Sequence, residues 1–133
     1  MKITVIVVGR AGTPFKEAIL EYERRAERYW KFNVVEVASE KLLLARLPER
    51  AEIVALTRTG SGMSSSALAR YLHDHALHST PEVCFVIGGA FGLGSGVLDR
   101  AQKRWSLSEA TLPHELARLV LAEQLYRRNH HQE

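Results

Sequence analysis

The segment from Val83 to Gly96 reads VCFVIGGAFGLGSG and contains the pattern that decides the fold. Its first five residues are continuously apolar, which is typical of a parallel-sheet strand that is buried on both faces. Its remaining nine residues include five glycines, and glycine lets the backbone approach a ligand closely. Open α/β sheets bind ligands beyond the carboxyl ends of their strands. The segment therefore predicts a ligand-binding loop directly after a buried strand.

Other apolar runs predict the rest of a sheet, and helical patterns lie between them. The further strands are predicted at Ile3–Val8, Val34–Val37, Glu52–Thr57 and, very short, Trp105–Ser108. The predicted helices run from a Thr13 cap and Pro14 to near Tyr29, over Leu42–Leu47, from Ser65 or Ser66 to near His78, over Val97–Gln102, and from Pro113 to about Arg128. Strands that alternate with helices predict an α/β fold, with a mostly parallel sheet covered on both faces.

Length and composition limit the class of protein. The 133 residues are 46% hydrophobic and 25% charged, which predicts one globular domain spanning residues 1–133. No apolar run is long enough for a membrane span, and Ile3–Val8 is too short for a secretory signal, so we expect a cytoplasmic protein with no membrane partner. The net charge of +3 permits a nucleic-acid partner without requiring one.

The residue types that bind metals are not arranged as a metal site. Cys84 is the only cysteine and lies inside an apolar run, so we expect it to be buried. His73, His75 and His78 are poorly spaced for a shared metal ion and are better interpreted as part of a solvated helix face. We therefore predict no metal.

Several enzyme classes lose support because their motifs are missing. A dinucleotide fingerprint that starts at Gly92 and Gly94 would need its third glycine at Val97. There is also no phosphate-binding P-loop, no G-x-S-x-G elbow and no H-E-x-x-H motif. From the residues alone, the chain is a small α/β domain with a ligand loop. The last helix is apolar around most of its circumference, which suggests burial on more than one side and a possible second subunit.

Three segments together resemble a known family. Phe85–Leu93 (FVIGGAFGL) resembles an I-G-G-x-x-G-L loop, and Leu107–Arg118 (LSEATLPHELAR) resembles an L-S-x-x-T-x-P-H segment. Glu123–Arg127 (EQLYR) resembles an E-Q-x-Y-R helix end. In this order, and with an opening strand at Ile3–Val8, the chain resembles the ribosomal large-subunit pseudouridine methyltransferase H family, which belongs to the SPOUT class of knotted methyltransferases.

The resemblance implies a fold, a reaction and partners. It implies a deep trefoil knot, a homodimer, and transfer of a methyl group from S-adenosylmethionine to N3 of a pseudouridine in 23S rRNA on assembled ribosomes. By position, the residues that would bind the cofactor are Leu56, Gly88, Gly89, Leu107, Ser108, Glu109, Ala110, Thr111 and Leu112. The candidate proton acceptors are His114, Glu115 or one of the tail histidines, His130 or His131, and the candidate phosphate contacts are Arg10, Arg118, Arg127 and Arg128.

The end of the chain suggests an alternative function. The family's chain continues past the Tyr-Arg helix end to a Pro-Tyr-His that is expected to help form the RNA site, whereas residues 128–133 here read RNHHQE. The alternative is a non-catalytic knotted ribosome- or RNA-binding module with a truncated substrate site. A Rossmann-like enzyme acting on a small molecule is a third hypothesis, which the failed glycine fingerprint disfavours.

Overall fold

A single five-stranded parallel sheet organises the protein in the computed structural model, which describes residues 1–127. The strand order is β2-β1-β4-β3-β5 and every pair of neighbours is parallel. The strands are β1 Lys2–Val8, β2 Lys31–Val37, β3 Glu52–Gly62, β4 Glu82–Ile87 and β5 Lys103–Ser106. The helices are α1 Lys16–Ala26, α2 Glu40–Arg46, α3 Ser65–Leu77, α4 Ser95–Leu98 and α5 His114–Arg127. The predicted α/β class is confirmed, while the trefoil knot stays a prediction.

The two most apolar strands, β1 and β4, pair in the centre of the sheet, where Val5 lies opposite Phe85. Alternate residues point to opposite faces. Val5 and Phe85 therefore contribute to one core cluster, together with residues of α3 and α5. Ile6 and Val86 contribute to a second cluster on the other face, together with residues of α2 and α4. Helices cover both faces because both faces of the central strands are apolar.

The predicted start of α1 is wrong. Thr13 and Pro14 are joined by a cis peptide bond and lie in a turn, and the helix begins at Lys16. The carbonyl group of Gly12 accepts the N–H groups of both Phe15 and Lys16. The helix also ends at Ala26, which is before the predicted end near Tyr29.

The predicted end of β3 at Thr57 is also wrong, because the strand continues to Gly62. Ser61 and Gly62 pair with Trp105 and Ser106 of β5 after a register shift. The predicted cap of α3 moves by one residue, since the Ser64 hydroxyl oxygen accepts the Ala67 N–H at 3.0 Å. The short helix α4 begins two residues earlier than predicted.

Helix α5 is covered on most of its circumference, as its sequence predicts. Ala117, Leu121 and Leu125 lie in the core, and no residue from His114 to Arg127 is fully exposed. Leu116, Leu119 and Val120 are among its half-buried residues.

Cys84 and His75 occupy structural positions. Cys84 is buried as predicted, and burial is the main reason that the pKa of its thiol rises to about 12. His75 contacts the Thr80 hydroxyl at 2.8 Å and lies 3.5 Å from a Glu52 oxygen. Within residues 1–127, no three side chains of the metal-binding types form a group that could hold a metal ion. None of the helices described is long and apolar enough to cross a membrane.

Candidate functional site

A cavity of about 980 Å³ lies at the carboxyl ends of the central strands. Four segments that are distant in sequence form it: the end of β1 at Val8 and Gly9, the 56–59 part of β3, the glycine loop after β4, and the connection from β5 to α5. Its lining includes every residue predicted for cofactor binding except Glu109: Leu56, Gly88, Gly89, Leu107, Ser108, Ala110, Thr111 and Leu112. Glu109 lines a smaller adjacent depression of about 450 Å³.

The cavity has apolar walls and backbone donors. Leu56, Ile87, Leu107 and Leu112 supply aliphatic surface, and no carboxylate is among the described residues that line it. The N–H groups of Thr111 and Leu112 donate no hydrogen bond to any other described residue. An apolar cavity with a few polar groups, in the range of about 300–1,000 Å³, is the usual form of a small-molecule site.

The glycine loop is folded so tightly that a side chain at one position would collide with it. Gly92 has a φ of +76° and forms an isolated bridge with Gly89. A Cβ atom on Gly88 would lie 2.6 Å from the Gly92 carbonyl group. The loop can therefore close only because residue 88 has no side chain.

His114 is the one imidazole among the described residues that line the cavity. Its Nε2 lies 3.2 Å from the Arg10 carbonyl oxygen. A carbonyl can only accept, so Nε2 carries the proton in this hydrogen bond, and in the neutral ring the free lone pair is then on Nδ1. The ring also packs on Gly9, where φ is +112° and a Cβ atom would lie 2.6 Å from Nε2.

Glu115, next to His114, does not line the cavity. Its Oε2 accepts the N–H of Gly12 at 2.8 Å. This carboxylate therefore binds the connection between β1 and α1, residues 9–15, which we call the β1–α1 loop.

The structure corrects the phosphate role predicted for Arg118. Its side chain is only 4% exposed and forms a bidentate pair with Glu23, at 2.6 and 3.0 Å. Its Nη1 also donates to Glu36 Oε2 at 2.6 Å. A buried guanidinium with two carboxylate partners is not available to a phosphate, because releasing it would leave uncompensated buried charges.

The other predicted cations are placed differently. Arg10 is exposed, and Arg127 forms a 2.6 Å ion pair with Glu123. Arg128, His130 and His131 lie outside the described residues.

Arg58 was missed by the sequence interpretation. It is exposed, lines both the cavity and the adjacent depression, and forms no ion pair with another described residue. Its place directly after the apolar part of β3, at the carboxyl edge of the sheet, was the available signal.

Comparison with known proteins assigns the chain to a family. A family model described as a predicted SPOUT methyltransferase matches residues 1–130. The chain belongs to the SPOUT methyltransferase family. The match covers nearly the whole length of the chain and includes all four segments that form the cavity.

Curated relatives of this SPOUT chain have a consistent name. A protein of Gemmatimonas aurantiaca named "Ribosomal RNA large subunit methyltransferase H" is 43% identical over 145 residues, covering 96% of this chain and 92% of its own. A protein of Rubrobacter xylanophilus with the same name is 43% identical over 143 residues, covering 95% and 90%. A solved structure from Porphyromonas gingivalis, assigned to the TrmH family of RNA methyltransferases, covers 96% of this chain and 60% of its own, with a TM-score of 0.58 and 13% identity. This last likeness shows the fold alone.

The ion-pair cluster of Arg118, Glu23 and Glu36 makes the stability of the fold depend on pH. The hydrogen bond from Arg118 is the main reason that the pKa of Glu36 lies below its ordinary value of 4.5, although burial opposes the shift. A lowered carboxyl pKa stabilises the fold above the ordinary pKa, and this stabilisation is lost as pH falls through the lowered pKa. We expect Glu36→Gln to lower the thermal unfolding midpoint near neutral pH and to converge with the unmodified protein well below pH 4.5. A difference that stays constant across this range would contradict the assignment.

Proposed function

We propose that this protein transfers a methyl group from S-adenosylmethionine to N3 of a pseudouridine in 23S rRNA of the large ribosomal subunit. The observation that carries the proposal is the cavity formed by the glycine loop and residues 107–112, in a SPOUT chain whose relatives are named large-subunit rRNA methyltransferases. The proposal includes a cytoplasmic location and a homodimer.

The cavity suits the cofactor in size and chemistry. Adenine presents apolar faces and hydrogen-bonding edges, which match the aliphatic walls and the free N–H groups of Thr111 and Leu112. The absence of carboxylates among the described lining residues leaves the sulfonium charge uncompensated, which favours a reaction in which that charge disappears. When bound, S-adenosylmethionine would supply an electrophilic methyl group.

The chain's own contribution is positioning and one proton transfer. Holding the two reactants in line removes much of the entropic barrier to a displacement. The N3 atom of pseudouridine carries a proton that must leave. His114 carries the only imidazole among the described side chains of the cavity, and its Nδ1, which does not contact Arg10, is the atom that would accept this proton. The hydrogen bond from Nε2 to Arg10 fixes the ring in this tautomer.

The RNA is proposed to approach along the side that carries Arg58 and Arg10. Both side chains are exposed, and Arg58 lies between the cavity and the adjacent depression. Guanidinium groups suit phosphate because their donors form a planar fork.

The direct experiment is titration calorimetry with S-adenosylmethionine, followed by methyl transfer to ribosomes from a strain that lacks this protein. We expect saturable binding and one new methyl group at N3 of a pseudouridine. Binding of the cofactor without transfer would instead support the non-catalytic RNA-binding module. Binding of NAD with no response to S-adenosylmethionine would overturn both.

The glycine loop provides a sharp test of the cofactor site. Gly88→Val should abolish binding of S-adenosylmethionine in calorimetry, because a side chain there collides with the Gly92 backbone and opens the loop. Gly62→Ala is the matched control, since a Cβ atom at Gly62 would meet nothing within 4 Å. Equal affinity in the two variants would place the cofactor elsewhere.

Arg58 tests the RNA surface. Arg58→Ala should weaken binding to large-subunit RNA and reduce the slope of log affinity against log salt by about one, because one phosphate contact is lost. The affinity for S-adenosylmethionine should change less than the affinity for RNA. Arg58→Lys should recover part of the RNA affinity, and Arg24→Ala, which removes an exposed arginine outside both depressions, should have little effect. A loss of the same size in Arg24→Ala would indicate only a diffuse charge effect.

The homodimer is proposed to use the half-buried apolar side chains of α5. A substitution at Leu121 would not test the interface, because this side chain is already buried within its own subunit and is only 1% exposed. Light scattering should give a mass near twice 15.0 kDa. Val120→Glu should yield a folded monomer, since an unpaired carboxylate in an interface is costly. Leu77→Glu, at a residue that is 68% exposed on α3, should remain dimeric. A light-scattering mass of a single subunit for the unmodified protein would contradict the proposed homodimer.

A further inference from the structure

The β1–α1 loop is held at four successive residues by hydrogen bonds to β2 and α5. The Gly9 N–H donates to the Val37 carbonyl at 2.9 Å, and the Arg10 carbonyl accepts from His114 at 3.2 Å. The Ala11 N–H donates to Glu36 Oε2 at 3.3 Å, and the Gly12 N–H donates to Glu115 Oε2 at 2.8 Å. Two carboxylates therefore act on neighbouring backbone groups of one loop.

This loop ends at the cavity wall. Gly9 lines the cavity and packs directly on the His114 ring, so a shift of residues 10–12 would move both groups. The loop has no regular secondary structure between Gly9 and Lys16. Its position depends on the side chains that bind its backbone.

Arg118, the partner of Glu36, does more than neutralise the charge of that carboxylate. Glu23 alone satisfies two donors of Arg118 in a bidentate pair. The third contact, from Arg118 Nη1 to Glu36, joins buried α5 to a half-exposed carboxylate of β2. That same Oε2 atom accepts the Ala11 N–H. Arg118 thus orients the oxygen that binds the loop.

We propose that Arg118, Glu36 and Glu115 are positioning residues of the methyltransferase site, which hold the β1–α1 loop so that Gly9 and His114 form one wall of the cavity. Arg118 acts through Glu36, and Glu115 acts directly on Gly12. Neither carboxylate lines the cavity, so neither contacts the cofactor. The identity of the ligand in this inference rests on the proposed function, whereas the hydrogen bonds that hold the loop do not depend on it.

The test separates the loop from the fold as a whole. Glu36→Ala should raise amide hydrogen exchange at Ala11 and Gly12 by at least about tenfold, while exchange in the central strands β1 and β4 should rise only as far as the lowered stability of the whole fold requires. The dissociation constant for S-adenosylmethionine should rise by about tenfold, the usual effect of losing one hydrogen bond to a charged group. Glu36→Gln keeps an oxygen acceptor for Ala11 and should recover much of the affinity.

Two further variants complete the comparison. Glu115→Ala should produce the same local exchange at Gly12 and a similar loss of affinity, by removing the second carboxylate. Glu21→Ala is the matched control, because Glu21 pairs with Arg24 and Arg25 within α1 and does not reach the loop. It should change neither quantity.

The outcomes are distinct. Unchanged exchange at residues 11 and 12 in both Glu36→Ala and Glu115→Ala overturns the proposal, as does a rise in exchange that spreads equally through the central strands. If the unmodified protein binds no S-adenosylmethionine, the proposed function fails, whereas the exchange experiment still decides whether these carboxylates hold the loop.

Discussion

The parallel pairing of β1 with β4 is the constraint on which the rest of the structure depends. Both strands are apolar on both faces, so the sheet must be covered on both sides. The helices satisfy this requirement by crossing back over the sheet, which returns every strand in the same direction. The carboxyl ends of β1 and β4 therefore lie side by side, and the turns that begin at Gly9 and Gly88 open into one cavity.

The elements that the sequence predicted well are those decided by local burial. Continuous apolar runs identified the central strands to within one residue, because a strand buried on both faces has few alternatives. The start of α1 failed because the Gly12 carbonyl, rather than a Thr13 cap, receives the first N–H groups of the helix. The end of β3 failed because Ser61 and Gly62 become a strand only through pairing with β5, more than forty residues later.

The candidate site was predicted mainly through resemblance to a family. Glycine content indicated a ligand loop after β4, but residues 107–112 have no composition that identifies a cofactor site. Arg118 shows why the prediction of a phosphate contact failed. Its charge suggested that contact, but its carboxylate partners Glu23 and Glu36 lie 95 and 82 residues away in sequence. Such a buried cluster becomes visible only when α1, β2 and α5 are brought together. Arg58 was accessible to sequence reasoning, because it follows a buried strand at the edge where parallel sheets bind ligands.

The distance in sequence between Gly9 and the residues that fix its loop has a consequence for biosynthesis. His114 and Glu115 are made about a hundred residues after the backbone that they bind. At a synthesis rate of about 5–20 residues per second, several seconds pass between the synthesis of β1 and that of the side chains that order its loop. The early chain can pair β1 with β2, but the cavity wall must remain incomplete until α5 has left the ribosome. The candidate site would thus be complete only after α5 has been made and has packed on the sheet.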